Sequence, residues 1–91
     1  MGKNRNEIAK SVIAELRIKD ARIERFMVNT SIGFGVDLRA TRAGFEAFVE
    51  AVSQTGLELT MNQFRRLDES GEPVEYVYDI FVVIPTGWSK P

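Results

Sequence analysis

The chain contains no cysteine and no histidine. Without cysteine there is no disulfide, no thiolate nucleophile and no thiolate-ligated zinc or iron–sulfur centre. Without histidine the usual general acid–base, the usual pH switch and the commonest metal ligand are missing too. Any catalysis would fall to carboxylates, lysine, tyrosine or hydroxyls. No apolar stretch approaches the roughly 20 residues of a membrane-spanning helix, and the charged opening Met1–Glu7 is followed by no apolar leader core. The expectation is a cytoplasmic protein with no membrane partner, no metal and no cofactor. Asn29-Thr30-Ser31 fits the glycosylation sequon without a secretory leader to use it, and Gly2 is followed by Asn6 where myristoylation requires Ser or Thr.

The 91 residues are read as one domain, 1–91, with short flexible ends at 1–4 and 86–91. A domain of this size has little core, and self-association is a common remedy. The net charge of −1 hides an asymmetry. Residues 1–45 carry nine basic side chains against five acidic, whereas residues 46–91 carry three against eight. Such a split marks a surface for a charged partner unless the fold interleaves the two halves.

The strongest pattern is Val74-Glu75-Tyr76-Val77-Tyr78-Asp79-Ile80-Phe81-Val82-Val83-Ile84. Its even positions are all apolar or aromatic. Its odd positions begin charged and end with Phe81 and Val83, so the strand turns apolar on both faces and belongs in the centre of a sheet. Residues 42–55 read as a helix: Thr41 can cap it, Phe45, Phe48, Val49 and Val52 fall on one side, and Gly56 stops it. Residues 4–19 read as a second amphipathic helix on Ile8, Val12 and Leu16, flanked by Ala9 and Ile13, capped by Asn4 or Asn6, with a Glu15–Lys19 pair along its side. Residues 57–67 form a strand whose alternation breaks near Asn62, where a bulge would shift the phase. The polar run 68–73 then serves as a hairpin loop.

Residues 26–38 alternate throughout, with Phe26, Val28, Thr30, Ile32, Phe34, Val36 and Leu38 on one side. They are read as one long strand bent at Gly33 and Gly35. The alternatives are a hairpin joining 23–28 to 32–39 through Asn29-Thr30-Ser31, or a first helix running on to about residue 27. The order is therefore α-β-α-β-β, an α+β fold with two helices. Its mainly antiparallel sheet has three strands in the order 1-3-2, or four if residues 23–39 form a hairpin. The second helix covers the Tyr76, Tyr78, Ile80 and Val82 face. Val77, Phe81 and Val83 then need another cover, either the first helix or a second copy of the chain.

Four groups of residues are candidates for contact. Phe64, Arg65 and Arg66 beside Tyr76 and Tyr78 could make an aromatic–basic face, and Trp88 could anchor a protein partner. Arg17, Lys19, Arg22 and Arg25 could track phosphates, although interleaved acids favour a solvated, ion-paired face, and a helix-turn-helix over residues 7–26 lacks its corner glycine. Phe81, Val83, Ile32 and Phe34 are the candidate self-association surface of a homodimer. Glu46 and Glu50 share a helix side without the setting of a catalytic carboxylate pair, and Asp37, Glu58, Asp68, Glu69 and Glu72 are scattered. Gly33-Phe34-Gly35 precedes no helix and is no phosphate cradle. No catalytic residue is nominated. The reading is a small non-enzymatic protein that inhibits or regulates a macromolecular partner by occupying its surface, by compositional analogy with phage and mobile-element accessory proteins. A nucleic-acid-binding regulator using the basic N-terminal half is the alternative.

Overall fold

The computed structural model describes residues 4–67 and 74–91. The expected loop at 68–73, with Asp68, Glu69 and Glu72, lies outside the described residues, as does Lys3. The elements are α1 (Arg5–Ala14), β1 (Ala21–Thr30), β2 (Gly33–Thr41), α2 (Arg42–Gln54), β3 (Glu58–Arg66) and β4 (Glu75–Val83). They form an α+β fold with one antiparallel sheet in the order β1-β2-β4-β3.

Two expectations are corrected. The element order is α-β-β-α-β-β, and the strand order is 1-2-4-3 rather than 1-3-2. The cause is the segment read as one long strand, which forms instead the hairpin given as its alternative and so makes a sheet of four strands. Its turn at Ser31-Ile32 is closed by Thr30, whose Oγ1 accepts from the Ile32 N–H at 3.2 Å and donates to the Gly33 carbonyl at 3.3 Å. The alternation survives the turn by coincidence. Irregularities between Ile23 and Arg25 and between Phe26 and Asn29 reset the phase of β1, and Val28 and Ile32 end up exposed. The expectation for β4 holds: β2 and β3 flank it on both sides.

Helix α1 is shorter than its periodicity suggested. Asn4 caps it by accepting from the Glu7 N–H at 2.8 Å. Of the expected apolar side it buries Ala9, Val12 and Ile13, whereas Ile8 and Leu16 are only half-buried. The chain leaves the helix after Ala14, so Leu16 and Ile18 pack against the core from an irregular segment, and Glu15 and Lys19 lose their helical spacing. Arg17 Nη1 donates to the carbonyls of Ala14 and Leu16 at 2.8 and 3.2 Å, satisfying acceptors that the helix end leaves open. The segment reaches β1 through Asp20, whose φ of 64° lies in the left-handed region. The Asp20 carbonyl accepts from the Thr41 N–H at 3.1 Å. A Cβ on Gly44 would stand 2.3 Å from that same oxygen, so only glycine lets the first turn of α2 approach so closely.

Helix α2 forms as expected. Thr41 Oγ1 accepts from the Gly44 N–H at 3.0 Å, and Gly56 follows the helix with φ 84°. The helix buries Phe48 and Val52 against Phe34, Val36, Leu38, Ile80 and Val82 of the sheet. Ala9 and Ile13 of α1 join the same cluster. Both helices therefore lie on one side of the sheet, and each large side chain buried there is worth about 1.5–3 kcal/mol. The first helix does not cover the other face, as one reading required.

Candidate functional site

The side of the sheet facing away from the helices follows from the strand registers. β4 places Glu75, Val77, Asp79, Phe81 and Val83 there, and their partners on β2 are Thr41, Arg39, Asp37, Gly35 and Gly33. On β3 the opposing residues are Arg65, Gln63, Thr60 and Glu58. β1 adds Arg25, opposite Asp37, and Met27, which lies over Gly35. Among the described residues no helix packs on this face.

Its apolar members are nonetheless half-buried, and the two glycines explain how. A Cβ on Gly35 would come within 3.1 Å of the Met27 side chain, and one on Gly33 within 2.9 Å of the Phe81 ring. Met27 and Phe81 therefore reach into space that side chains at these two positions would take, and the face gains cover without a second layer. Four of the charges around them are paired across strands. Arg25 Nε meets Asp37 Oδ2 at 3.0 Å, and Arg39 meets both carboxylate oxygens of Glu75 at 3.3 Å. The Arg39 fork is two-pronged, which fixes its orientation better than a single contact would. A shallow depression of about 340 Å³ runs across the face between Arg25, Met27, Asp37, Gln63, Val77 and Asp79.

The aromatic–basic group is brought together only in part. Phe64 meets Tyr76 and Tyr78 with ring centroids 5.6 and 5.7 Å apart, and Phe45 of α2 stacks on Tyr78 at 4.0 Å. Arg66 stands opposite Tyr76 on this helix side, but Arg65 stands opposite Val77 on the bare side. The bulge between Met61 and Gln63 sets this phase. Phe64 is half exposed whereas Tyr78 is buried. Burial pushes the Tyr78 hydroxyl above its ordinary value, with Tyr76 and Glu46 adding to the rise and Arg42 opposing it. The Tyr78 hydroxyl therefore stays protonated at neutral pH, and its ring packs against Phe45 and Phe64.

Arg17, Lys19, Arg22 and Arg25 are gathered around one cavity of about 610 Å³, whose walls include Leu16, Ile18, Ile23, Phe26, Leu38 and Phe48. Three of the four are already engaged: Arg17 at the end of α1, Arg22 with Glu24 at 3.3 Å, and Arg25 with Asp37.

The self-association candidates separate. Phe81 and Val83 lie on the bare face, Ile32 is exposed at the β1–β2 turn, and Phe34 is fully buried in the core, where it cannot meet a second copy. Trp88 folds back over the end of α2. Its indole N–H donates to the Thr55 carbonyl at 2.8 Å, and a Cβ on Gly56 would touch the ring at 3.3 Å. Glu46 and Glu50 are exposed on α2. Among the described residues no group of three or more carboxylates is placed to hold a metal ion.

Sequence reasoning missed Met27, the Arg39–Glu75 pair and the Phe45–Tyr78 stack. The first two depend on which strands become neighbours. The stack had a signal, since Phe45 lies on the expected inner side of α2. No protein-family model, curated protein or solved structure matches the chain.

Proposed function

We propose that this chain is a non-enzymatic binding protein that regulates or inhibits a protein partner by occupying its surface, and that the bare face of the sheet is the surface it uses. The carrying observation is that α1 and α2 share one side of the sheet, and among the described residues no helix packs on the other. That face offers apolar side chains (Met27, Val77, Phe81 and Val83) among cross-strand ion pairs of both signs. Mixed, ordered charge beside apolar area suits a protein surface, whereas a phosphate backbone calls for an excess of one sign. By compositional analogy the proposal extends to a small accessory protein of a phage or mobile element. The test is a photo-crosslinking residue placed at Asp79 on the bare face or at Glu50 on the outer side of α2. The Asp79 position should yield one discrete adduct with a protein other than the chain itself, lost on Val77→Arg while circular dichroism is unchanged. Adducts from Glu50 alone, or an Asp79 adduct indifferent to Val77→Arg, would overturn the reading.

The nucleic-acid reading has one observation in its favour, the gathering of Arg17, Lys19, Arg22 and Arg25 around a single cavity. The engagement of three of them argues against it. It predicts retention on immobilised DNA with a steep salt slope that disappears when Arg17, Arg22 and Arg25 are reversed in charge.

A further inference from the structure

The sheet has two edges, and they are finished differently. β1 is interrupted twice along its register and carries Arg22, Glu24 and Arg25 in its first half. Bulges and charges of this kind blunt an edge against pairing. β3 carries as many charges (Glu58, Arg65 and Arg66) but has a single irregularity, at Asn62, and no proline. Every β3 residue except Leu59 is exposed, including the large apolar Met61 and Phe64. Among the described residues β3 pairs with β4 alone, so the backbone donors and acceptors of its outer side stand open.

The sequence of β3 is complementary to itself when read backwards. Directly opposed residues of an antiparallel pair point to the same face. Before the bulge, Glu58 and Thr60 face the bare side and Leu59 and Met61 the helix side. After it, Gln63 and Arg65 face the bare side and Phe64 and Arg66 the helix side. Two long antiparallel registers keep the faces matched. One sets Leu59 against Arg66 and leaves Glu58 unmatched. The other sets Glu58 against Arg65, Leu59 against Phe64 and Thr60 against Gln63, each pair occurring twice about the axis.

We propose that β3 pairs with β3 of a second copy in this latter register, about a two-fold axis perpendicular to the sheet and passing between Met61 and Asn62. The pairing spans Glu58 to Arg65, about 26 Å of edge at the usual rise. It makes a continuous eight-stranded sheet with all four helices on one side and both bare faces on the other. One strand edge is a small interface, so association should be concentration-dependent in the micromolar range or weaker. This inference does not rest on the docking role of the bare face, because it is read from the purified chain alone.

Sedimentation equilibrium of the full chain over a wide concentration range tests it. The native protein should show a monomer–dimer equilibrium. Glu58→Arg and Arg65→Glu should each weaken dimerisation about tenfold, since the symmetry applies each repulsion twice. An equimolar mixture of the two single variants should dimerise again, as should the double variant, because opposite charges then face each other across the axis. Both positions are exposed, and circular dichroism checks that the variants remain folded. A native protein that stays monomeric throughout would overturn the proposal. So would a dimer indifferent to both single changes, or one lost on Val77→Arg but kept on Glu58→Arg, which would move the interface to the bare face.

Discussion

On the helix side of the sheet, β2 and β4 present Phe34, Val36, Leu38, Ile80 and Val82, all fully buried. On the bare side the residues between them are Gly33, Gly35, Asp37, Val77, Asp79, Phe81 and Val83, and β4 is only half-buried there. The same strands thus build two surfaces by different means. The covered side is filled by side chains from a second layer. The bare side is filled by its own residues, with Phe81 and Met27 in space that the glycines leave open. A strand that is apolar on both faces therefore does not need a layer on each side. Small residues on the neighbouring strand can leave room for a large ring.

The largest effect that would break this contrast is a cavity on the covered side. Phe34 is fully buried and meets the Phe26 ring edge-on at 5.6 Å. Phe34→Ala should cost about 3–5 kcal/mol, against a total stability of about 5–15 kcal/mol for a domain. The same truncation on the bare side, Phe81→Ala, should cost less, about 1–2 kcal/mol, because that ring is only half-buried. Urea denaturation followed by circular dichroism measures both. Equal losses would mean that the bare face is a second core rather than a surface.

A sharper comparison lies within the bare side. A Cβ on Gly33 would stand 2.0 Å from the Val82 carbonyl oxygen, which is backbone, whereas one on Gly35 meets Met27 Cε at 3.1 Å and Met27 Cβ at 3.3 Å, where a shift of a few tenths of an ångström suffices. Gly33→Ala should therefore disturb the β2–β4 seam and cost about 1–3 kcal/mol, whereas Gly35→Ala should stay within about 1 kcal/mol because Met27 can move aside. The same melts, with amide exchange at Val83 and Ile84, distinguish the two. A Gly35→Ala variant as unstable as Gly33→Ala would show Met27 to be held rigidly.

The smallest effect belongs to Tyr78 at the margin of the covered side. Burial raises its hydroxyl above the ordinary 10.0. Below that value the group is protonated both folded and unfolded, and stability is independent of it. Above it the unfolded chain ionises first, so stability falls until the folded group titrates as well. Stability curves for the native protein and Tyr78→Phe should run parallel through neutral pH and diverge only above about pH 10, with the native protein losing more. Parallel curves throughout would remove burial as the cause.

Features governed by adjacent residues were legible before the fold was known. Thr41 and Gly56 bounded α2, the broken alternation at Asn62 located the bulge, and the doubly apolar β4 announced a central strand. The β1–β2 hairpin was legible only as the alternative that Asn29-Thr30-Ser31 offered, because two irregularities in β1 carry the apparent alternation through the turn and favour one long strand. The end of α1 was hidden because Leu16 and Ile18 stay apolar after the helix stops. The bare face was half legible. Phe81 and Val83 pointed to it, but Met27, Gly35 and the Arg39–Glu75 pair acquire meaning only from strands distant in sequence lying side by side.

Trp88, hydrogen-bonded at the end of α2, has a spectroscopic consequence. The molecule extends 47 Å along its longest axis. Its single indole sits beside Thr55 and Gly56, next to the end of the sheet where Glu58 pairs with Val83. Both tyrosines, Tyr76 and Tyr78, cluster with Phe64 toward the other end of β4. The chain thus carries two native chromophores of different wavelength at the two ends of one sheet. Tryptophan emission follows one end, and near-ultraviolet tyrosine dichroism follows the other. Whether the two signals vanish together on heating reads directly, and without any label, whether the sheet comes apart as a single cooperative body.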